Sequence, residues 1–317
     1  MSVKINSFGG PLIWFFRKYY SNVTSKIMLK FVSNRYSKTA DRYIRYFLSQ
    51  DTPPLFQNVM LETINRCNGT CEFCPASKYT ETRPYMKMPD EIYYKIIRQL
   101  KDIGWSGKLF MCVNNEPFMD KRIMEFSKYA KETIPGVSIA MISNGTLLTI
   151  EKMDAMAGIV DQIVINDYSE KYALSDTHRK IYQHIKGHPD RFASMNIVIN
   201  RRYSKEVLAT RAGNAPNKPI KNVEVNCPCV YPFTDLIIFP NGKVGICCND
   251  CKEITDFGDV NQDSLIDIWK NDKFQKLRQA MTSGRMHYKF CEECDVLDAG
   301  ERERYITELM RELGKEE

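Results

Sequence analysis

Three cysteines stand close together in "NRCNGTCEFCPAS": Cys67, Cys71 and Cys74, separated by three residues and then by two. Thiolates at such spacing suit a metal centre. A mononuclear zinc site is closed by four ligands, so three thiols leave one position to be supplied. An iron–sulfur cube needs a ligand at each iron, and three thiolates would leave its fourth iron open to an outside ligand. Gly69 provides the backbone freedom that wrapping so short a loop round one centre demands. A second group lies in the tail, where Cys229, Cys247, Cys291 and Cys294 form a four-thiol set, the last two as Cys-x-x-Cys. Four thiolates satisfy one cube completely, or one structural zinc. Cys227 and Cys248 sit so close in sequence that either is an alternative within its pair. Of the spare cysteines, Cys112 falls in a strand and reads as a small buried hydrophobe. Cys248 and Cys251 are the candidates if a spare thiol instead donates a hydrogen atom to a substrate radical.

The surrounding pattern places these groups. From residue 57 the chain alternates strands and helices. "QNVMLETINR" (57–66) runs straight into the first cysteine loop, and "PDEIYYKIIRQLKDIG" (89–104) is an amphipathic helix opened by proline and closed by glycine. Strand patterns at 108–115, 137–143, 162–168 and 195–201 alternate with helical patterns at 119–134, 149–158 and 172–187. Near-continuous apolar strands in such units indicate a parallel sheet, as a barrel or doubly wound. In parallel barrels the chemistry sits where strands end. Cys67, Asn115, Ser143, Asn166 and Arg202 all fall there, which predicts that they converge. After about residue 220 the rhythm breaks into a hairpin over 233–248 turning at Asn241-Gly242 and one helix over 264–284. The reading gives four parts: a leader (1–56), a barrel (57–220), a small second domain (221–297) and a C-terminal helix (298–317).

The chain has 317 residues, a net charge of +6, 43% hydrophobic and 26% charged residues, a globular profile. Its eleven cysteines are too sparse for a secreted disulfide scaffold and cluster as in a reducing compartment. No apolar run approaches the ~20 residues of a membrane span. "PLIWFF" (11–16) stops at Arg17-Lys18 without a cleavage site, so the expectation is a cytoplasmic protein. Residues 1–50 hold nine Lys or Arg against the single Asp41. Within them Ala40, Tyr43, Ile44, Phe47 and Leu48 share one helical face. That face either packs on the main domain or lies on an anionic membrane surface. The basic bias stops there, which argues against nucleic acid.

Cys-x-x-x-Cys-x-aromatic-Cys, with Phe73 as the aromatic residue, resembles the signature of the radical S-adenosylmethionine enzymes, and its place after the first strand matches too. The resemblance implies a partial (β/α)6 barrel whose three-cysteine [4Fe–4S] cluster chelates S-adenosylmethionine and cleaves it to a 5′-deoxyadenosyl radical that abstracts a substrate hydrogen. "NNEPFMD" resembles the family's Gly-Gly-Glu-Pro motif with both glycines replaced, at Asn114 and Asn115, ahead of Glu116 and Pro117. The carry-over assigns Phe73, Asn115, Glu116, Ser143, Asn166 and Arg202 to the cofactor, with Asp167 facing substrate as a catalytic candidate beside Cys248. The tail resembles the truncated form, called twitch, of the SPASM domain, which implies an auxiliary [4Fe–4S] cluster on Cys229, Cys247, Cys291 and Cys294. Twitch enzymes include a dehydrogenase of an aminocyclitol, so the resemblance implies oxidation or epimerisation of a hydroxyl-bearing carbon of a sugar- or cyclitol-like molecule. A flavodoxin or ferredoxin would supply electrons. Radical modification of a peptide and a non-catalytic electron carrier are the alternatives.

Overall fold

The computed structural model describes residues 4–7, 25–169, 173–218, 225–297, 301–312 and 314. The expectations for 11–16, for the start of the 172–187 helix and for the boundaries at 220/221 and 297/298 fall partly or wholly outside them.

Nine strands form one sheet in the order β1-β6-β5-β4-β3-β2-β7-β8-β9. The parallel body comprises β2 (Asn58–Leu61), β3 (Lys108–Phe110), β4 (Ser138–Ser143), β5 (Gln162–Tyr168) and β6 (Asn196–Arg202). These strands bury Val59, Leu61, Leu109, Ile139, Met141, Ile163, Ile165, Ile197 and Ile199, as an apolar sheet covered by helices requires. Between them run α2 (Asp90–Asp102), α3 (Ile123–Thr133), α4 (Ile150–Met156) and α5 (Asp176–Gly187). Helix α2 turns Tyr93, Ile96, Ile97 and Leu100 inward, the i, i+3, i+4, i+7 stripe that makes one face. The register sets Asn166 beside Asn200 and Tyr168 beside Arg202, so the C-terminal strand ends form one rim.

Two features depart from the sequence reading. The leader contributes β1 (Lys4–Ser7), which pairs parallel with β6 and extends that edge. At the other edge β7 (Asp235–Ile238) pairs parallel with β2 and antiparallel with β8 (Lys243–Gly245), which pairs with β9 (Gly258–Asp259). The tail hairpin turns at Gly242 as expected, with φ +83°, but it prolongs the barrel sheet and does not stand apart from it. All four residues of β7 are buried, and a strand covered on both faces needs a sheet neighbour inside the core. The single helix expected over 264–284 is two, α7 (Leu265–Lys270) and α8 (Asp272–Met281), after the short α6 (Tyr231–Thr234). Asn271 breaks it by accepting the Phe274 N–H and donating to the Phe257 carbonyl.

Helix α1 (Ser25–Leu48) decides between the two leader readings. Ala40, Tyr43, Ile44 and Phe47 are buried, and only Leu48 of the stripe is exposed. Phe47 packs edge-on against Phe233 at 5.1 Å and against Trp269 at 6.3 Å. The helix is tied to α9 (Glu301–Glu312) by the Arg35–Glu303 pair at 2.8 Å. The apolar face that a membrane surface would need is thus consumed inside the protein, which corrects the expectation of a peripheral membrane contact through it. Among the described residues no helix is long and apolar enough to cross a membrane.

Candidate functional site

Beyond β2 the chain enters the cysteine loop through successive turns: the Cys74 N–H donates to Cys71 O, and the Ser77 N–H to Cys74 O. Gly69 serves here through closeness. A Cβ on it would lie 3.2 Å from Cys67 Sγ and 3.6 Å from Asn144 Nδ2. Its own N–H donates to Cys67 Sγ at 3.3 Å, and the Asn144 amide points at the same sulfur from 3.8 Å. Burial pushes the Cys67 thiol up to about 11 and the Cys71 thiol to about 12, with neighbouring thiols adding to the effect. Ionising them together therefore calls for a positive centre, and a metal supplies one.

These cysteines open onto a cavity of about 120 Å³ lined also by Phe73, Asn115, Glu116, Ser143, Asn166 and Arg211. Glu116 is its keystone. The carboxylate accepts from Ser143 Oγ at 2.8 Å, from the Asn144 N–H at 2.8 Å and from the Phe118 N–H at 3.3 Å. It joins the ends of β3 and β4, and burial raises its pKa against those hydrogen bonds. Asn115 Oδ1 accepts the Val113 N–H, while its buried Nδ2 has no partner among the described residues. A buried orphan donor at such a cleft suits an acceptor that a ligand brings. Neither Asn114 nor Asn115 has positive φ, so replacing the two glycines imposes no left-handed strain. Asn166 accepts from Asn200 Nδ2 at 3.0 Å.

Three sequence-predicted residues are placed differently. Asp167 does not line the cavity. Strand alternation turns Asn166 and Tyr168 toward it and Asp167 to the opposite face, where it accepts the Ser175 N–H at 2.7 Å and lies 3.7 Å from His178 Nδ1. It anchors the start of α5, which corrects its placing against substrate. Arg202 stands behind the wall, 5.6 Å from the Phe73 ring and 5.7 Å from the Tyr168 ring, and pairs with Glu206 at 2.6 Å. Cys248 is outside the lining too. Its carbonyl, which accepts from Asn114 Nδ2 and from Arg211, is what faces the site.

The last contacts belong to a bridge that no sequence motif marks. Arg211 donates to Asn114 Oδ1 at 2.6 Å, to Cys248 O at 3.0 Å and to Asn249 Oδ1 at 3.3 Å. Cys251 Sγ donates to the same Asn114 oxygen. Below it the Asn114 N–H reaches Glu62, whose carboxyl burial lifts to about 7 although Arg83 is 2.9 Å away. Arg83 also pairs with Glu81 and with Glu253 of the tail. The non-glycine residues with positive φ among those described are Arg211, Ala212 and Glu253, all at this junction. Such conformations carry strain of order 1–3 kcal/mol each and persist where surroundings fix them.

Beyond the bridge lie the tail thiols. Cys247 is in the field of Cys248, Cys291, Cys294 and Cys229, and Cys291 in that of Cys229 and Cys294. Cys227 lies by Arg285 and Ser33 and is also in the field of Cys229. The four cysteines the sequence selected thus lie in one another's fields, with Cys227 and Cys248 beside them. Among the described residues, no three His, Cys, Asp or Glu surround a single metal-ion position. A mononuclear site, with metal–sulfur bonds of about 2.3 Å, would need thiolates roughly 4 Å apart. In a cluster each thiolate binds a different iron, so wider spacing is expected.

Comparison with known proteins agrees with this arrangement. The radical SAM superfamily model matches residues 61–169, and the SPASM model, described as an iron–sulfur cluster-binding domain, matches residues 227–295. The S-adenosyl-L-methionine-dependent 2-deoxy-scyllo-inosamine dehydrogenase of Niallia circulans is 27% identical over 256 residues, 79% of this chain and 97% of that protein. The structure of BtrN in complex with AdoMet and 2-DOIA superposes with a TM-score of 0.66 at 22% identity, over 78% of this chain and 95% of that one. The anSMEcpe enzyme with bound AdoMet shares the fold more distantly, with a TM-score of 0.51 at 9% identity over 82% and 94%. Radical SAM and SPASM domains hold [4Fe–4S] clusters and S-adenosylmethionine. Three thiols beside an unpartnered amide, and four more thiols beyond a polar bridge, fit both. The chain thus carries a radical S-adenosylmethionine domain over residues 61–169 and a SPASM-type iron–sulfur domain over residues 227–295.

Proposed function

We propose that this radical SAM oxidoreductase oxidises a hydroxyl-bearing carbon of a small cyclitol- or aminocyclitol-like molecule. The observation that carries the reading is the bridge: Asn114 and Arg211 wall the radical pocket and hold the backbone of the tail's cysteine segment. Oxidising an alcohol removes a hydrogen atom, a proton and an electron, so an acceptor must lie beside the pocket. The named activity of the Niallia relative, whose length this chain nearly spans, supports the substrate class.

Cys67, Cys71 and Cys74 hold the cluster that binds S-adenosylmethionine, and Cys229, Cys247, Cys291 and Cys294 hold the auxiliary one. When bound, the cofactor supplies the hydrogen-abstracting radical and the second cluster an electron acceptor. Asn115 Nδ2 offers its donor to the cofactor. Glu116 keeps the strand ends in register, through Ser143 and the Asn144 N–H. Phe73 and Tyr168, 5.8 Å apart, form an apolar wall that excludes water. Arg211, the one cation among the described lining residues, directs an electron-rich substrate oxygen toward the pocket. A flavodoxin- or ferredoxin-like carrier supplies the first electron.

The test is anaerobic reconstitution of wild type beside a variant with Cys67, Cys71 and Cys74 all changed to alanine. About eight irons in wild type and about four in the variant are expected. With aminocyclitols, only wild type should form 5′-deoxyadenosine, matched one for one by ketone. Deoxyadenosine without any ketone would overturn the alcohol reading, and product from a peptide instead would replace it.

A further inference from the structure

The auxiliary site contains a buried cation that none of the cluster-ligand patterns predicts. Arg285 is 1% exposed. Its Nε donates to Cys227 O at 3.0 Å, and one terminal nitrogen donates to Val296 O at 2.6 Å and lies 3.7 Å from Cys294 Sγ. The other donates to Cys227 Sγ at 3.3 Å and to Pro228 O at 3.4 Å. All these contacts are to carbonyl oxygens and sulfurs, and among the described residues it forms no ion pair with a carboxylate. Burying an unpaired charge is unfavourable by several kcal/mol, so a guanidinium in such a place implies a counter-charge nearby. The groups in its field are Cys229, Cys227, Cys294 and Tyr36.

We propose that Arg285 positions the auxiliary cluster's ligand loop and compensates the cluster's charge, so that the cluster accepts an electron more readily. This rests on the reading that Cys229, Cys247, Cys291 and Cys294 hold a cluster. A cube with four thiolates is net negative, and one electron more increases that charge. A fixed cation beside a ligand sulfur favours the reduced state, since net charge and hydrogen bonds to sulfur set cluster potentials. Low exposure strengthens the effect by excluding the water that would otherwise screen it. Cys227 is then the holder of the guanidinium: its sulfur and carbonyl grip one edge, leaving the other directed at Cys294.

The test is an anaerobic redox titration followed by electron paramagnetic resonance on the full-length protein with both clusters. The Cys67/Cys71/Cys74→Ala variant identifies which transition belongs to the auxiliary cluster. Arg285→Met and Arg285→Gln remove the charge, and Arg285→Lys keeps it. Iron and sulfide per chain should stay at the wild-type level in all three. The auxiliary potential should fall in both neutral variants by at least a tenfold change in the reduction equilibrium, about 59 mV for one electron, and stay near wild type in the lysine variant. Neutral variants with full iron and an unchanged potential would overturn the proposal. So would a lysine variant as low as the neutral ones, since charge would then not matter. Loss of the cluster from both neutral variants would reduce Arg285 to a structural residue and overturn the tuning role. A wild-type protein without a second cluster would instead sink the reading beneath it.

Discussion

Two groups of thiols flank the Asn114–Arg211 bridge, and the donors that reach their sulfurs differ in kind. At the radical site Cys67 receives the Gly69 N–H at 3.3 Å and lies 3.8 Å from the Asn144 amide, both neutral. Arg202 and Arg211 stand near this site, but their hydrogen bonds described above run to oxygens. At the auxiliary site a guanidinium lies 3.7 Å from Cys294 Sγ, with no carboxylate paired to it among the described residues. The chemistry asks for that difference. The first cluster must push an electron into a stable sulfonium, so its reduced state should not be stabilised. The second must take one from the substrate, so its reduced state should be. The donors that hydrogen-bond sulfur are neutral at one and cationic at the other, although Arg202 and Arg211 also reach Cys71 and Cys74 through their fields.

The two regions also differ in what supports them, and the largest expected effect follows from that. The cysteine loop hangs from strand ends, whereas Cys229 of the auxiliary set lies beside Tyr36 of α1 and at the start of α6. Phe47→Ala removes a fully buried ring packed on Phe233 and Trp269, and the expected loss is about 3–5 kcal/mol in a denaturant titration. Auxiliary iron should then be lost to a chelator well before radical-site iron. Leu48→Ala, one residue on but 43% exposed, should stay within about 0.5 kcal/mol. Equal loss of iron from both sites would show that the regions share one stability.

A smaller effect concerns the junction. Burial holds Glu62 at about 7, against an ordinary 4.5. Between those values the folded state binds more protons than the unfolded state, so this group makes stability fall as pH rises through the window. The loss should reach a few kcal/mol by pH 8 and be absent below pH 4. Glu62→Gln should flatten that part of the curve whatever constant offset it introduces. An unchanged slope in chemical denaturation between pH 5 and 8 would remove Glu62 from the junction's proton balance. Smaller again is Gly69→Ala, whose added methyl meets Cys67 Sγ at 3.2 Å. Overpacking of this kind costs about 1–3 kcal/mol. It should speed iron release several-fold from the radical site alone. Equal release from the auxiliary site would mean that the loop and the tail move together.

The parallel sheet, its order of elements and both thiol sets are legible in the sequence because each depends on local pattern: apolar strands, amphipathic helices, cysteine spacing. Asp167 was legible too, had alternation been applied, since choosing Asn166 for the cavity puts Tyr168 beside it and Asp167 behind. Asn144 directly follows Ser143 at the end of β4, but what it does depends on where Cys67 comes to rest across the loop. Arg211 and Arg285 carry no such signal. Arg211 sits in a turn and Arg285 opens a single turn of 3-10 helix, and the fold brings partners to them from well outside any local pattern: Asn114 and Cys248 for one, Cys227 for the other. The sheet running on into the tail was hidden for the same reason, because β7 pairs with a strand nearly two hundred residues earlier.

The smallest expected effect tests the comparison most closely. Asn144→Ala removes the side-chain amide near Cys67 and its bond to Asn68 Oδ1 at 2.8 Å, while leaving the backbone N–H that Glu116 accepts. A neutral amide 3.8 Å from sulfur places only a dipole there, and the Gly69 N–H remains as the nearer donor. The reduction equilibrium of the radical-site cluster should therefore change by less than the tenfold expected when Arg285 is neutralised, with iron content unaltered. The same anaerobic titration reads both. A shift for Asn144→Ala as large as that for Arg285→Gln would mean that hydrogen bonding to sulfur outweighs charge at these sites. The contrast between the two regions would then lie in the number of donors and no longer in their charge.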